Sequence, residues 1–140
     1  MNYPEHQYPH SELTKQIIAA AYRVSSDLKN GLVEKIYENA LCIDFAEQNI
    51  IYSQQERFPV YYHEKNCGTL IPDLIVDEKV IVDTKVVKEI NSEHISKMQS
   101  YLSISGLKAG LIINFKYTSV TVRRVANTNP TTNPEEIRLK

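Results

Sequence analysis

The chain has 140 residues, 42% hydrophobic and 24% charged, with a net charge of −1. That is one domain's worth of chain with enough apolar material for a core, which excludes a two-domain division of labour and a disordered or fibrous polymer. A charge so near zero argues against a nonspecific nucleic-acid coat protein, and no apolar run approaches the ~18 residues of a membrane helix.

Residues 1–6 lack the basic start and apolar run of a signal peptide, and Cys42 and Cys67 are too few for a disulfide framework. A reducing cytoplasm is therefore the expected location, with no membrane partner. The charge is uneven along the chain: residues 1–78 hold 6 Lys/Arg against 12 Asp/Glu, and residues 79–140 hold 10 against 5. A basic surface in the second half is one reading of this; a linear count that maps onto no single face is the other.

Residues 1–10 and 127–140 carry prolines among polar residues without periodicity and read as flexible tails around one domain, 11–126. From Ser11, a candidate N-cap, apolar residues at Leu13, Ile17, Ala20, Ala21, Val24 and Leu28 trace one helix face, closed by Asn30-Gly31. A second helix begins near Leu32 with Val33, Ile36, Tyr37, Ala40, Leu41 and Phe45, and ends at Glu47-Gln48-Asn49. Ile50 to Phe58 and Val60 to Tyr62 read as strands separated by Pro59, and His63 to Gly68 as a turn. Thr69 to Val76 and Val80 to Val87 then form a hairpin around Asp77-Glu78-Lys79. Ser92 caps a helix that buries Ile95, Met98, Leu102 and Ser105 and stops at Gly106. Strands Gly110 to Phe115 and Val120 to Val125 complete the order. Helices and strands in this order predict an α/β or α+β domain with a mixed central sheet flanked by helices, and the consecutive apolar runs Val80–Val82 and Leu111–Ile113 predict its central strands.

The hairpin holds the chemistry. Asp83 and Lys85 are two apart in a strand and so share a face among apolar neighbours, where a charge survives only if paired, hydrogen-bonded or bound to an ion. With a three-residue loop, Asp73 falls opposite Asp83 on that face; a one-residue slip moves it to the other. Two carboxylates and an ammonium suit Mg²⁺ or Mn²⁺ and metal-assisted phosphodiester hydrolysis, with Lys85 stabilising the developing charge. The spacing alone also fits an exposed hairpin with a cross-strand salt bridge.

Gly31-Leu32-Val33-Glu34-Lys35-Ile36-Tyr37 resembles the G-x-x-E-x-x-Y signature of the GxxExxY proteins, a branch of the PD-(D/E)XK nuclease superfamily. Pro72-Asp73 and Asp83-Thr84-Lys85 match the superfamily's own motif, with Asp where this branch usually has Glu, and the resemblance runs in order from Leu13 to Phe115. It implies a restriction-endonuclease-like core and a metal-dependent nuclease acting on DNA ahead of RNA. By that resemblance Asp73 and Asp83 are metal ligands, the Thr84 carbonyl completes their set, Lys85 is the catalytic cation and Glu34 faces the metal or its water. Glu34 and Tyr37 lie three apart on one helix face, although Glu34 also suits a solvated acid of a first helical turn and Tyr37 a packing residue with a bonded hydroxyl. Relatives carry His-x-x-Gln on the next helix, where this chain has His94-Ile95-Ser96-Lys97. Lys97, His94, Tyr37 and Lys88 are the candidates for contact with substrate, and Lys116, Arg123 and Arg124 for phosphates. An inactive nuclease-like domain that binds nucleic acid or a protein partner is the alternative, and a homodimer stays open.

The loop group His63, Glu64 and Cys67 lacks a Cys-x-x-Cys partner and reads as a turn rather than a zinc site. Cys42 reads as a small buried hydrophobe. No phosphate-cradling or dinucleotide-binding glycine motif and no serine-hydrolase elbow is present.

Overall fold

The structure is a computed structural model that describes residues 8–128. Helix α1 spans Ser11–Leu28 and α2 Glu34–Glu47. The strands follow as β1 Tyr52–Gln54, β2 Phe58–Tyr62, β3 Lys65–Leu70, β4 Leu74–Val76 and β5 Val80–Lys85. Helix α3, Ser92–Ser105, then leads to β6 Ala109–Asn114 and β7 Thr121–Ala126. A five-stranded sheet runs in the order β1-β4-β5-β6-β7, antiparallel except for the parallel pair β5 and β6, which α3 connects; β2 and β3 form a separate two-stranded ribbon. This is the expected mixed sheet flanked by helices, consistent with a restriction-endonuclease-like fold.

The two apolar runs are the interior strands, and every residue of β5 and β6 is buried. Alternation along them divides the core. Leu74, Val76, Val80, Val82, Leu111 and Ile113 pack with Ile17, Ala20, Ala21 and Val24 of α1 and Tyr37, Leu41 and Phe45 of α2. Ile75, Ile81 and Ile112 pack on the other face with Met98, Tyr101 and Leu102 of α3 and with Phe58 of the ribbon. Among the described residues no helix is long and apolar enough to cross a membrane.

Several local expectations change. The α1 cap is His10 in a left-handed conformation, φ 57°, and Ser11 is the first helical residue. Asn91, not Ser92, caps α3, because its side-chain oxygen reaches the amides of Glu93 and His94 at 3.0 and 3.2 Å. Ile50 to Phe58 is not one strand: Gln55 turns left-handed at φ 59° between β1 and β2. Pro59 lies inside β2 opposite Thr69, tolerated because a two-stranded ribbon consists only of edges. The turn shrinks to His63-Glu64, both at positive φ, and Thr69 to Val76 splits because Ile71-Pro72-Asp73 passes from the ribbon into the main sheet.

The packed region also extends past 11–126. Tyr8 is buried, its hydroxyl bridging the carbonyls of Gly110 and Val125 at 2.7 and 3.0 Å. Asn127 bonds the carbonyls of Leu102 and Leu107, and Thr128 bonds Gln99. The rest of the expected tails, 1–7 and 129–140, lies outside the described residues.

Candidate active site

The hairpin register pairs Val76 with Val80 and Leu74 with Val82 across the three-residue loop, so continuing it sets Asp73 opposite Asp83. Asp73 lies just ahead of β4, where no further strand residue completes the ladder. Its Oδ2 instead accepts the amide of Thr84 at 3.0 Å and the Thr84 hydroxyl at 3.1 Å. Asp83 is 3% exposed, and Lys85 Nζ lies 2.6 Å from its Oδ2, so the buried charge has a close partner. Burial, followed by the charge of Asp83 and a hydrogen bond shared with it, holds the Asp73 carboxyl above its ordinary value, and the bonds from Thr84 offset part of this.

Glu34 arrives from the other side of the chain by a local device. Gly31 turns at φ 108°, a conformation that strains residues with a Cβ. The fully buried Tyr37 then closes the turn: its hydroxyl donates to the Lys29 carbonyl at 2.6 Å and accepts the Leu32 amide at 3.2 Å. The Tyr37 ring stacks on Phe115 with centroids 4.6 Å apart, and the Phe115 amide bonds the Lys85 carbonyl at 2.8 Å. That chain of contacts fastens the start of α2 to the end of β5. Glu34, at the head of α2, accepts a hydrogen bond from the Val86 amide and stands within electrostatic reach of Lys85, Asp73 and Lys97. Its partial burial, opposed by Lys85 and reinforced by Asp73, leaves its carboxyl raised.

The structure thus brings Asp73, Asp83, Thr84 and Lys85 together, with Glu34 within electrostatic reach of Lys85 and Asp73. Lys97, on the exposed side of α3, has its ammonium 5.6 Å from the Tyr101 ring centroid. Partial burial would lower its pKa, but Tyr101 and then Asp83 and Asp73 outweigh it and the net shift is upward. Lys88 is exposed on the loop between β5 and α3.

Two substrate-contact candidates are placed otherwise. Tyr37 has no exposed surface and spends its hydroxyl on the chain's own backbone, so it braces the turn before α2 and is not open to a substrate. His94 closes a capping box, its Nδ1 accepting the Asn91 amide at 3.0 Å, so that nitrogen serves the helix.

Two supporting residues escape a reading by motif. Asn114, 2% exposed, bonds both the amide and the carbonyl of Val87 and so ties the β5–α3 loop to the end of β6. Glu38, 2% exposed, accepts Gln54 and Gln55. Its signal was present in the sequence: Glu38 occupies the same helical stripe as Leu41 and Phe45, where an acid needs partners.

A family model described as the PD-(D/E)XK nuclease superfamily matches residues 11–125, most of the chain and all of this site. The chain belongs to the PD-(D/E)XK nuclease superfamily. No curated protein and no solved structure gives a significant match. Membership in the PD-(D/E)XK superfamily points to nuclease activity in general and to nucleic acid as the kind of partner, and nucleases of this superfamily generally use divalent metals.

The donor set fits such an ion in chemistry. Asp73 and Asp83 supply hard oxygens side by side, with the Thr84 main chain between Asp83 and Lys85, and a cation there would offset both the burial and the mutual repulsion that raise Asp73. Among the described residues no three His, Cys, Asp or Glu side chains are grouped to hold an ion unaided. Mg²⁺ suits two carboxylates because it usually keeps several waters.

Proposed function

We propose that the protein is a Mg²⁺- or Mn²⁺-dependent endo- or exonuclease of the GxxExxY branch that hydrolyses phosphodiester bonds, in DNA ahead of RNA. The observation that carries this reading is the convergence of Glu34 from α2 with Asp73, Asp83 and Lys85 at the C-terminal end of the interior strand β5.

In this reading Asp73, Asp83 and the Thr84 carbonyl hold the cation. When bound, the cation polarises the scissile phosphate and acidifies a water. Lys85, held by Asp83, neutralises charge that develops on the phosphate. Glu34, raised above its ordinary value, is placed to orient the water and take its proton. Lys97 and Lys88 offer positive charge to the flanking phosphates.

The test incubates the protein with plasmid, linear duplex, single-stranded DNA and RNA under Mg²⁺ or Mn²⁺. Cleavage abolished by EDTA, by Asp83→Ala and by Lys85→Ala is the expected result. Cleavage that survives these changes defeats the mechanism. The close Lys85–Asp83 pair also supports a second reading, a noncatalytic module whose acidic cluster is closed by its own lysine. Salt-dependent DNA binding without cleavage, and without Mn²⁺ heat attributable to Asp73 and Asp83, would select it.

A further inference from the structure

Helix α2 carries two buried or half-buried acids one turn apart, Glu34 and Glu38, and only the first faces the site. Glu38 is 2% exposed, and its Oε2 gathers three donors: Gln54 Nε2 at 2.6 Å, Gln55 Nε2 at 2.9 Å and Lys35 Nζ at 2.9 Å. A buried carboxylate is costly unless its oxygens are well bonded, so this arrangement needs a reason beyond packing.

The bonds lead to Asp73. Gln54 forms the last pair of β1 with β4, opposite Leu74, and Gln55 then turns away in the left-handed region at φ 59°. In that conformation the Gln55 amide donates to the Asp73 carbonyl at 3.0 Å. Left-handed backbone is disfavoured for a residue with a Cβ, and the Gln55 side chain, although exposed, is held by Glu38.

We propose that Glu38 is a positioning residue for Asp73: through Gln55 it fixes the main chain that aims the Asp73 carboxylate at Thr84 and the site. The single helix α2 then sets the place of both acids, Glu34 directly and Asp73 through the Glu38–Gln55 bond. The role in metal binding rests on the nuclease reading; the positioning of Asp73 does not.

The experiment uses the full chain with Gln55→Ala, Gln55→Glu and the exchanged pair Glu38→Gln/Gln55→Glu. The first readout is amide hydrogen exchange at Thr84 and Gln55, with Leu111 and Ile113 in β6 as internal references. Gln55→Ala should speed Thr84 exchange about tenfold without moving the β6 amides. Gln55→Glu should do more, because it sets two carboxylates together, and the exchanged pair should return the rate toward wild type. The second readout is Mn²⁺ affinity by calorimetry, with Asp73→Asn as the site control. Loss of the outer bond should weaken binding by about 10-fold, the lower end for supporting partners of metal ligands. Thr84 exchange unchanged in both single variants, or rising equally at Leu111 and Ile113, overturns the proposal. A wild-type protein whose Mn²⁺ heat is unaffected by Asp73→Asn defeats the nuclease reading instead, and Thr84 exchange still decides whether Glu38 positions Asp73.

Discussion

Asp73 Oδ2 accepts both the amide and the hydroxyl of Thr84, at 3.0 and 3.1 Å. The residue that follows Asp83 therefore orients the carboxylate opposite it, and two acids that would repel are held together by the backbone between Asp83 and Lys85. Burial, and after it the charge of Asp83, leaves the Asp73 carboxyl raised.

Its linkage to stability has a definite sign. Because folding raises Asp73 from its ordinary 3.8, the folded state holds that proton more tightly than the unfolded state. The contribution is fully present below the unfolded value and is lost as pH rises through the higher folded value. Asp73→Asn should therefore raise the Tm at neutral pH, with the gap from wild type closing as the pH falls toward 3.8. Saturating Mg²⁺ should raise the wild-type Tm and leave the variant unmoved. A lower Tm for the variant at neutral pH would mean that the Thr84 bonds outweigh the repulsion.

Lys85→Met should destabilise the fold by about 3–5 kcal/mol in urea titrations at neutral pH, because it strands a buried carboxylate. The Lys85 and Asp83 side chains are 10% and 5% exposed, so water cannot replace the partner. The double variant Asp83→Asn/Lys85→Met should recover most of the loss, since no charge is then left unpaired.

Tyr37→Phe keeps the stack on Phe115 and removes only the hydroxyl that joins Lys29 to Leu32. The expected cost is ~1 kcal/mol of stability. Cleavage should fall further than the stability loss explains, because Glu34 loses the brace on its turn. Equal cleavage by variant and wild type would show that the brace serves folding alone.

Gly110 lies under α3, where an added Cβ would run into the Met98 sulfur and meet its Cγ at 2.9 Å. Gly110→Ala should cost ~1–3 kcal/mol through overpacking. Met98→Ala in the same chain should relieve it, and the pair should show strong coupling in a double-mutant cycle.

Lys97→Gln should weaken nucleic-acid binding evenly across sequences and reduce the slope of log K against log salt by about 1, the expectation for one lost phosphate contact. An unchanged slope would place Lys97 off the path of the nucleic acid.

Local chemistry made much of this protein legible in one dimension. The consecutive apolar residues at 80–82 and 111–113 announced strands buried on both faces, whereas the register that faces Asp73 toward Asp83 stayed open to a one-residue slip until the pairing of Val76 with Val80 closed it. The glycine of G-x-x-E-x-x-Y marks a turn that demands positive φ, a requirement written in the residue itself. What depends on partners far along the chain was decided only in three dimensions. Tyr8 finds its carbonyls 102 and 117 residues away, and Glu38 finds Gln54 and Gln55 at separations of 16 and 17. Tyr37 became a brace because Phe115, far along the chain, offers a ring to stack on. Periodicity tells which face a residue takes on its own element, whereas a hydrogen-bond partner depends on which elements pack together and at what register, and packing settles that only when the whole core closes.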